Sequence, residues 1–291
     1  MNKLDTSQPA VRAGLKDIWK TVFHDPDAYI DHFFEALLPA SQVLGKSDGG
    51  ALAASVYVLP VGDLVSPLMR VPCTMTYALG TLPEFRGRGY GRALTNEAIE
   101  YSFSVGFSAS VICPAEPSLF HFYEETANYR PLFSVLWEDF SAEEPEISAA
   151  GFSAEPASPE TYAAIREELL ANCMHIDFRP AFLRYQQSLC RASGGDLFLL
   201  RFGDRCGCAA VELLPDGRVA VKELLCPDGI DTRAAVSLIR REVGGTAFSL
   251  RSPAPLGDPS ARPFAMARFH GAAPASRFPG GKLPWLGFAF D

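Results

Sequence analysis

A glycine-rich segment with three arginines is the part of the sequence whose residue types and spacing point most clearly to chemistry. It reads Arg86-Gly87-Arg88-Gly89-Tyr90-Gly91-Arg92 and lies between a strand pattern and a helix pattern. The first N–H groups of a helix have no acceptor within the helix, and the helix dipole favours negative charge there. Glycines let the backbone approach an anion closely, and arginines add positive charge. The segment therefore predicts a pyrophosphate site built from backbone N–H groups.

The spacing of the glycines excludes two common nucleotide loops. The dinucleotide fingerprint requires G-x-G-x-x-G, whereas the glycines here stand at positions 87, 89 and 91, and position 92 is arginine. A Walker loop requires Gly-Lys followed by Ser or Thr, which the segment lacks. For the arginines, the competing interpretation is an ordinary solvated surface. Their clustering in a chain of net charge −8 favours contact with a ligand.

The elements that position this segment follow from the periodicity of apolar residues. Two N-terminal helices are predicted from one-sided apolar faces, Leu15, Ile18, Trp19 and Val22 in the first and Ile30, Phe33, Phe34 and Leu37 in the second. A hairpin follows, with strands near 42–44 and 51–59, a turn at 48–50, a loop at 60–72 and a third strand at 73–82. After the glycine-rich segment we predict a helix at 93–103, a strand at 108–113, a helix at 118–126 and a strand at 132–140.

The second half of the chain repeats this order of elements. A Ser-, Ala-, Glu- and Pro-rich stretch at 141–159 suits a linker, although part of it could pair as a strand. We then predict helices at 162–170, 180–191 and 232–243, and strands at 197–202, 208–214, 219–226, 247–250, 264–269 and 286–290. The repetition predicts two domains of one plan, residues 1–145 and 146–291. In the second, the loop at 226–233 has one glycine and two aspartates, so we expect it not to bind pyrophosphate.

Composition restricts the other classes of function. Hydrophobic residues make up 48% and charged residues 21%, which is typical of a globular protein with a substantial core. The negative net charge argues against nucleic acid or an anionic membrane as partner. With no signal peptide or membrane-spanning run, a cytoplasmic protein is expected. The seven cysteines lack metal-ligand spacing, including the pair Cys206 and Cys208, so we expect reduced thiols and no metal site.

Several segments together resemble the GNAT superfamily of N-acetyltransferases. Residues Arg86 to Gly91 fit the R-x-x-G-x-G pattern of that family at every fixed position, and Leu82-Pro83-Glu84-Phe85 resembles its lead-in. Downstream, Phe120-His-Phe-Tyr-Glu124 resembles the family's second conserved region, a helix that carries a phenol. Asn128-Tyr-Arg-Pro131 departs from the usual Gly-Phe, which puts the turn after that helix in doubt. The resemblance covers roughly residues 1 to 140.

The resemblance implies a mixed α/β fold (α+β), with a mostly antiparallel sheet flanked by helices, present twice with a degenerate second half. It implies direct transfer of an acetyl group from acetyl-CoA to a primary amine of a small molecule or peptide. The implied cofactor-binding residues are Leu79, Gly80, Thr81, Leu82, Arg86, Gly87, Arg88, Gly89, Tyr90, Gly91 and Arg92. Tyr123 is the implied general acid toward the departing thiolate; the alternative is that it is packing on a buried helix.

Other roles stay open at this stage. The sequence identifies no general base; His24, Asp25, Asp27 and Glu35 lie near the helices that in the family shape the acceptor pocket, and Asp25 is a candidate N-cap. The second half could close the acceptor site, form a homodimer or stabilise the first half. In some tandem enzymes of the family the C-terminus approaches the active site, but we favour a last strand for 286–290. The alternative functions are a CoA-binding sensor or pseudoenzyme, and an interaction scaffold.

Overall fold

The computed structural model describes residues 1–141, 151–271 and 282–290. The chain divides into two compact units, the first made of Met1–Leu64, Arg70–Leu132 and Phe264–Ser276, the second of Val65–Met69, Phe133–Pro263 and Arg277–Asp291. The predicted domains, residues 1–145 and 146–291, do not follow this division, because a segment near the C-terminus groups with the first unit. The domain boundary at residue 145 stays a prediction.

The described residues form seven α-helices and twelve strands. In chain order these are α1 (Pro9–Phe23), α2 (Asp27–Ala36), β1 (Gln42–Asp48), β2 (Ala51–Ser66), β3 (Met69–Thr81), α3 (Tyr90–Ser104), β4 (Ala109–Ile112), α4 (Pro117–Ala127), β5 (Arg130–Ser141), β6 (Phe152–Pro156), α5 (Pro159–Leu170), β7 (His175–Phe178), α6 (Pro180–Ala192), β8 (Asp196–Phe202), β9 (Arg205–Leu213), β10 (Val219–Leu225), α7 (Thr232–Val243), β11 (Ala247–Pro253) and β12 (Arg262–Phe269). Short 3₁₀ turns occupy Leu38–Ala40 and Pro83–Phe85.

The sheet of the first unit has the strand order β1-β2-β3-β4-β12. Strands β1 and β2 are antiparallel, β3 and β4 are parallel and joined through α3, and β12 is antiparallel to β4. Successive strand residues face opposite sides of a sheet. Accordingly, Val56 and Val58 pack with Leu94 of α3, whereas Tyr57 between them packs against Trp19 of α1. Helices therefore cover both faces of this sheet.

The sheet of the second unit repeats the plan. Its order is β5-β11-β10-β9-β8-β6, in which β10 and β11 are parallel and joined through α7, and the other pairs are antiparallel. Two helices, three antiparallel strands, a helix and a parallel strand thus occur in the same order in both units. The core includes Phe198, Val211, Val221 and Ile239. The mixed, mostly antiparallel fold predicted from the sequence is confirmed.

Two predicted elements are wrong. Residues 60–72 were expected to be a loop because of their prolines, but β2 continues to Ser66 and β3 begins at Met69, since buried Val61 and Leu64 fit a strand. Residues 286–290 were expected to be a strand, but only Trp285 forms an isolated bridge, with His175. Positive φ values at Gly287 (79°) and Phe290 (62°) are incompatible with a continuous strand.

Three further expectations concern the linker, the cysteines and membrane-spanning helices. Part of the predicted linker at 141–159 pairs as strand β6, whereas residues 142–150 lie outside the described residues. All seven cysteines are free thiols. In the described ranges, no helix is both long and apolar enough to cross a membrane.

Candidate active site

The glycine-rich segment forms the entry to α3. Gly87 and Gly89 adopt left-handed conformations with φ values of 78° and 79°, which glycine takes without strain. Gly89 precedes the helix, and no side chain of the described residues caps it. A Cβ atom at position 87 or 89 would have nothing within 4 Å, so the space in front of the backbone is open. The start of α3 is therefore uncapped, with room beside the two glycines that lead into it, as an anion site requires.

An aspartate that sequence reasoning missed holds this segment. Asp48, the last residue of β1, accepts hydrogen bonds from the Arg88 guanidinium and from the Tyr90 hydroxyl, the latter at 2.8 Å. These bonds lower the pKa of Asp48, that from Tyr90 most. The Arg88 guanidinium also lies 5.2 Å from the centre of the Phe85 ring. No sequence signal connected Asp48 to the loop, because the contact depends on the register of the hairpin.

Strand β3 separates from β4 just before the glycine-rich segment. The parallel pairing runs from Cys73–Ala109 to Thr76–Ile112 and ends there. Two residues further on, Ala78 has a φ of 44°, a left-handed conformation that a residue with a Cβ rarely adopts. This change of backbone direction at Ala78 leaves one edge of the end of β3 unpaired with β4.

At the end of β3, some backbone groups already have hydrogen-bond partners within the protein. The Leu82 N–H donates to the Ala53 oxygen of β2 at 3.0 Å, and the Thr81 oxygen accepts from Arg86 Nε at 3.3 Å. Because successive residues of a strand direct their N–H and C=O to opposite edges, Leu79 and Thr81 face away from β2. Leu82 is therefore already paired within the protein, and Leu79 and Thr81 lie on the open edge.

Gly80 has a packing role of its own. A Cβ atom at this position would come within 2.9 Å of Ile18 Cγ2 on α1, closer than real Cβ atoms approach. The glycine thus lets α1 lie directly on the strand. This requirement would exist without any ligand.

Helix α4 brings Tyr123 next to the end of β3. The Tyr123 ring is only 6% exposed and belongs to a buried cluster against which Leu79 also packs. Its neighbour Phe122 lies 3.8 Å from the position of a Cβ on Gly91, at the start of α3. Asn96 of α3 ties the two helices together by donating to the Thr126 oxygen at 3.0 Å. The phenol and the uncapped start of α3 are thus held in one arrangement.

The two buried tyrosines of this cluster differ in their hydroxyls. The Tyr129 hydroxyl is bonded to Thr76 Oγ1 at 3.0 Å and Ser110 Oγ at 2.8 Å. The Tyr123 hydroxyl has no such partner among the described residues, and burial raises its pKa well above the usual value. Tyr129 is therefore committed to the core, whereas Tyr123 retains a proton for another acceptor.

The acidic residues near α1 and α2 do not form a metal site. Among the described residues, no group of His, Cys, Asp and Glu could hold a metal ion. Asp27 pairs with Lys16 and Lys20, at 3.2 and 3.0 Å. The expectation that Asp25 caps α2 is wrong, because Pro26 occupies the cap and the Asp25 carboxylate accepts instead from Trp19 Nε1 at 2.8 Å.

The corresponding helix start in the second unit is already occupied. The Asp231 carboxylate accepts from the Ala234 N–H at 3.3 Å and caps α7. A negative group thus takes the position that is open at α3. That the loop at 226–233 does not bind pyrophosphate stays a prediction, which the capped start of α7 favours.

The kink at Ala78 can be tested by substitution. We expect Ala78→Val to lower the free energy of unfolding by about 2 kcal/mol, because a β-branched residue is strained at positive φ. The matched control is Ala51→Val, at the exposed start of β2, where valine is favoured. Urea denaturation of both variants measures the difference, and equal stabilities would contradict a left-handed Ala78.

Comparisons with known proteins bear on the first unit most directly. Residues 6–126 match a family model described as an acetyltransferase (GNAT) domain. No curated protein matches the chain.

Solved structures share the fold over nearly the whole chain. A conserved protein of unknown function from Enterococcus faecalis is 18% identical over 92% of this chain and 72% of its own, with a TM-score of 0.72. Eis1 from Mycobacterium abscessus is 17% identical over 92% and 73%, with a TM-score of 0.64. A tandem GNAT protein from the clavulanic acid biosynthesis pathway is 13% identical over 94% and 99%, with a TM-score of 0.58. At these identities the likeness shows the fold.

Proposed function

We propose that the chain transfers an acetyl group directly from acetyl-CoA to a primary amine of a small molecule or peptide, since residues 6–126 match the model of a GNAT acetyltransferase domain. One arrangement carries this proposal. Tyr123 packs beside Leu79 at the open end of β3, while its neighbour Phe122 lies against Gly91 at the uncapped start of α3. Neighbouring residues of α4 thus contact both the open edge of β3 and the uncapped start of α3, which supports a proton donor and an anion site in one active site.

The residues present fit acetyl-CoA. The N–H groups at the start of α3, from Arg88 to Arg92, would hold the pyrophosphate, and open space in front of Gly87 and Gly89 leaves room for it. Leu79 and Thr81 would pair with the pantetheine from the free edge of β3. When bound, acetyl-CoA supplies a thioester whose carbonyl carbon the amine attacks.

The chain's own groups would then assist the reaction at two atoms. A backbone N–H on the open edge of β3 would stabilise the negative charge that develops on the carbonyl oxygen. Tyr123 would donate its proton to the sulfur as the carbon–sulfur bond breaks. Because burial raises the pKa of Tyr123, the phenol keeps its proton at neutral pH and can act as an acid.

The proposal is tested by calorimetric titration with acetyl-CoA, followed by measuring thiol release across a panel of primary amines. Binding together with amine-dependent thiol release supports acetyl transfer. Binding without release on any amine would favour a CoA-binding sensor. The absence of binding would overturn the assignment altogether.

The role of Tyr123 has its own test. We expect Tyr123→Phe to lower kcat by about 100-fold with little change in acetyl-CoA affinity, because the ring stays in the cluster and only the proton is lost. Tyr129→Phe is the matched control, since its hydroxyl bonds only within the core among the described residues. It should cost about 1 kcal/mol of stability and leave kcat nearly unchanged. Equal losses of kcat in both variants would show that the phenols act through packing.

The raised pKa of Tyr123 also predicts the shape of the pH profile. A group whose pKa is raised stays protonated further into the alkaline range, so the acid should not be lost below about pH 9.5. With saturating amine, kcat should show no falling limb between about pH 7 and 9.5. A decline in that range that persists in Tyr123→Phe would indicate another proton donor, whereas one that disappears in this variant would contradict the raised pKa of Tyr123.

A further inference from the structure

An aromatic cluster lies between α1, α2 and the sheet of the first unit. At its centre Trp19 is almost fully buried, and its ring centre lies 6.0 Å from that of Phe23, 6.4 Å from Tyr29 and 6.0 Å from Tyr77. These three outer rings are only partly buried. The hydroxyls of Tyr29 and Tyr77 meet at 3.2 Å. The cluster therefore presents aromatic surface outward as well as filling the core.

One carboxylate is fixed at the edge of this cluster. Helix α1 ends at Phe23, and His24 adopts a left-handed conformation with φ 62°, which turns the chain so that Asp25 follows above Trp19. The indole Nε1 donates to Asp25 Oδ2 at 2.8 Å. Asp25 Oδ1 has no partner among the described residues, and the side chain is partly buried. The indole thus orients the carboxylate and leaves one oxygen for another donor.

The neighbouring acidic residues are different in this respect. Asp27 pairs with Lys16 and Lys20, and Asp31 pairs with Lys16 at 2.8 Å. Within the described part of the chain, Asp25 has no cationic partner. A partly buried carboxylate beside aromatic rings favours a cation, because ion pairing and cation–π attraction act on the same group.

The position of the cluster relates it to the proposed reaction. Tyr77 directly precedes Ala78, the residue at which β3 turns away from β4, and Leu79 follows on the open edge. Trp19 therefore connects Asp25, to which its indole donates, with Tyr77, whose ring centre lies 6.0 Å away. Tyr77 in turn adjoins the strand segment that would hold the thioester. A substrate whose cationic group binds at Asp25 would reach the acyl group with its other end.

We propose, resting on the function proposed above, that the acceptor is an amine with a second cationic group, which Asp25 binds beside Trp19 and Tyr77. The class includes aliphatic diamines and longer polyamines. Asp25 is then a specificity-determining residue that positions the substrate and takes no proton from the reacting amine.

Binding of matched amines tests this inference without relying on turnover. Pentane-1,5-diamine and 5-aminopentan-1-ol have similar length and differ in their second charge. We expect the diamine to perturb tryptophan emission with an affinity at least about tenfold higher than the amino alcohol. Asp25→Asn, which can still accept from the indole, should abolish most of this difference and leave binding of the amino alcohol unchanged.

Asp31→Asn is the control for long-range charge, because it removes the same charge from the same pair of helices. It should preserve the preference for the diamine. Equal effects of the two variants, or no preference in the unaltered protein, would overturn the inference. A loss of kcat in Asp25→Asn that is equal for both amines would also overturn it, because that result indicates a general base. Diamine binding without acetyl transfer would instead contradict only the proposed function.

Discussion

Replacement of Gly89 by glutamate is expected to weaken binding of CoA by about 1000-fold, or roughly 4 kcal/mol. Gly89 has a φ of 79° and stands where the open N–H groups of α3 begin. A glutamate there would place a carboxylate at the same helix end as the pyrophosphate, so that the two anions compete for one set of donors. The left-handed backbone adds a strain on the order of 1 kcal/mol, which lowers stability.

The second unit offers a matched control for this substitution. Gly229 has a φ of 80°, lies shortly before α7, and has nothing within 4 Å of the position of a Cβ. Gly229→Glu should therefore cause a similar loss of stability. It should leave CoA binding within about twofold of the unaltered protein, since Asp231 already caps α7.

Calorimetric titration with CoA, alongside thermal unfolding of both variants, separates binding from stability. If Gly89→Glu bound CoA normally, the glycine-rich segment would not be the pyrophosphate site. If both variants lost binding equally, the loss would reflect damage to folding or a site in the second unit. The two variants therefore test whether CoA binds only at the start of α3 or also at the start of α7.

The sequence predicted most elements because amphipathic patterns are local. The helix faces that contain Trp19 and Phe33 required no knowledge of their partners. The glycine-rich segment was recognisable for the same reason, since its function depends on a helix start and on residues without a Cβ. Features of this kind are encoded within a few turns of chain.

The features that escaped prediction depend on contacts between distant segments. Asp48 reaches Arg88 and Tyr90 only because the β1–β2 hairpin ends beside α3. The left-handed Ala78 has no signal, because alanine is not a residue that normally marks such a conformation. The hydrogen bond from the Leu82 N–H to Ala53 likewise depends on how β3 pairs with β2, and cofactor binding by Leu82 stays a prediction.

Strand partners were the least predictable feature of the fold. Strand β5 follows α4 in the chain, yet it lies in the sheet of the second unit beside β11. Strand β12 comes from the C-terminal part of the chain, yet it completes the sheet of the first unit beside β4. An alternating pattern identifies a strand but not its neighbour, and consecutive strands are adjacent only in most cases. A boundary read from the sequence alone could not include this exchange.

The C-terminal segment of the second unit is held by a buried carboxylate. Glu223 on β10 is fully buried and accepts from Tyr162 at 2.6 Å, from Arg166 Nε at 2.9 Å and from Trp285 Nε1 at 2.7 Å. The Arg166 guanidinium, itself 1% exposed, also donates to the Leu286 oxygen at 3.3 Å. This network provides side-chain and backbone partners for a segment that forms no regular strand.

Glu223→Gln is expected to lower the free energy of unfolding by about 3–5 kcal/mol. Glutamine preserves the volume and one acceptor, but it leaves the buried Arg166 charge with a single, longer ion pair among the described residues, to the partly exposed Glu167 at 3.4 Å. Removing one partner of a buried pair is costly even where the intact pair contributes little, because the remaining charge stays out of water. The substitution should also expose Trp285, which would shift tryptophan emission to longer wavelength.

The control is Glu155→Gln, which breaks an exposed pair with Arg201, at 2.8 Å and about half exposed on both sides. That change should cost less than about 1 kcal/mol, because solvent screens the pair. Urea denaturation followed by tryptophan emission compares the two variants. If Glu223→Gln lowered the free energy of unfolding as little as the control, water or another acceptor would be stabilising the Arg166 charge in place of Glu223. A large loss of stability with unchanged Trp285 emission would mean that the C-terminal segment is retained by its apolar side chains rather than by Glu223.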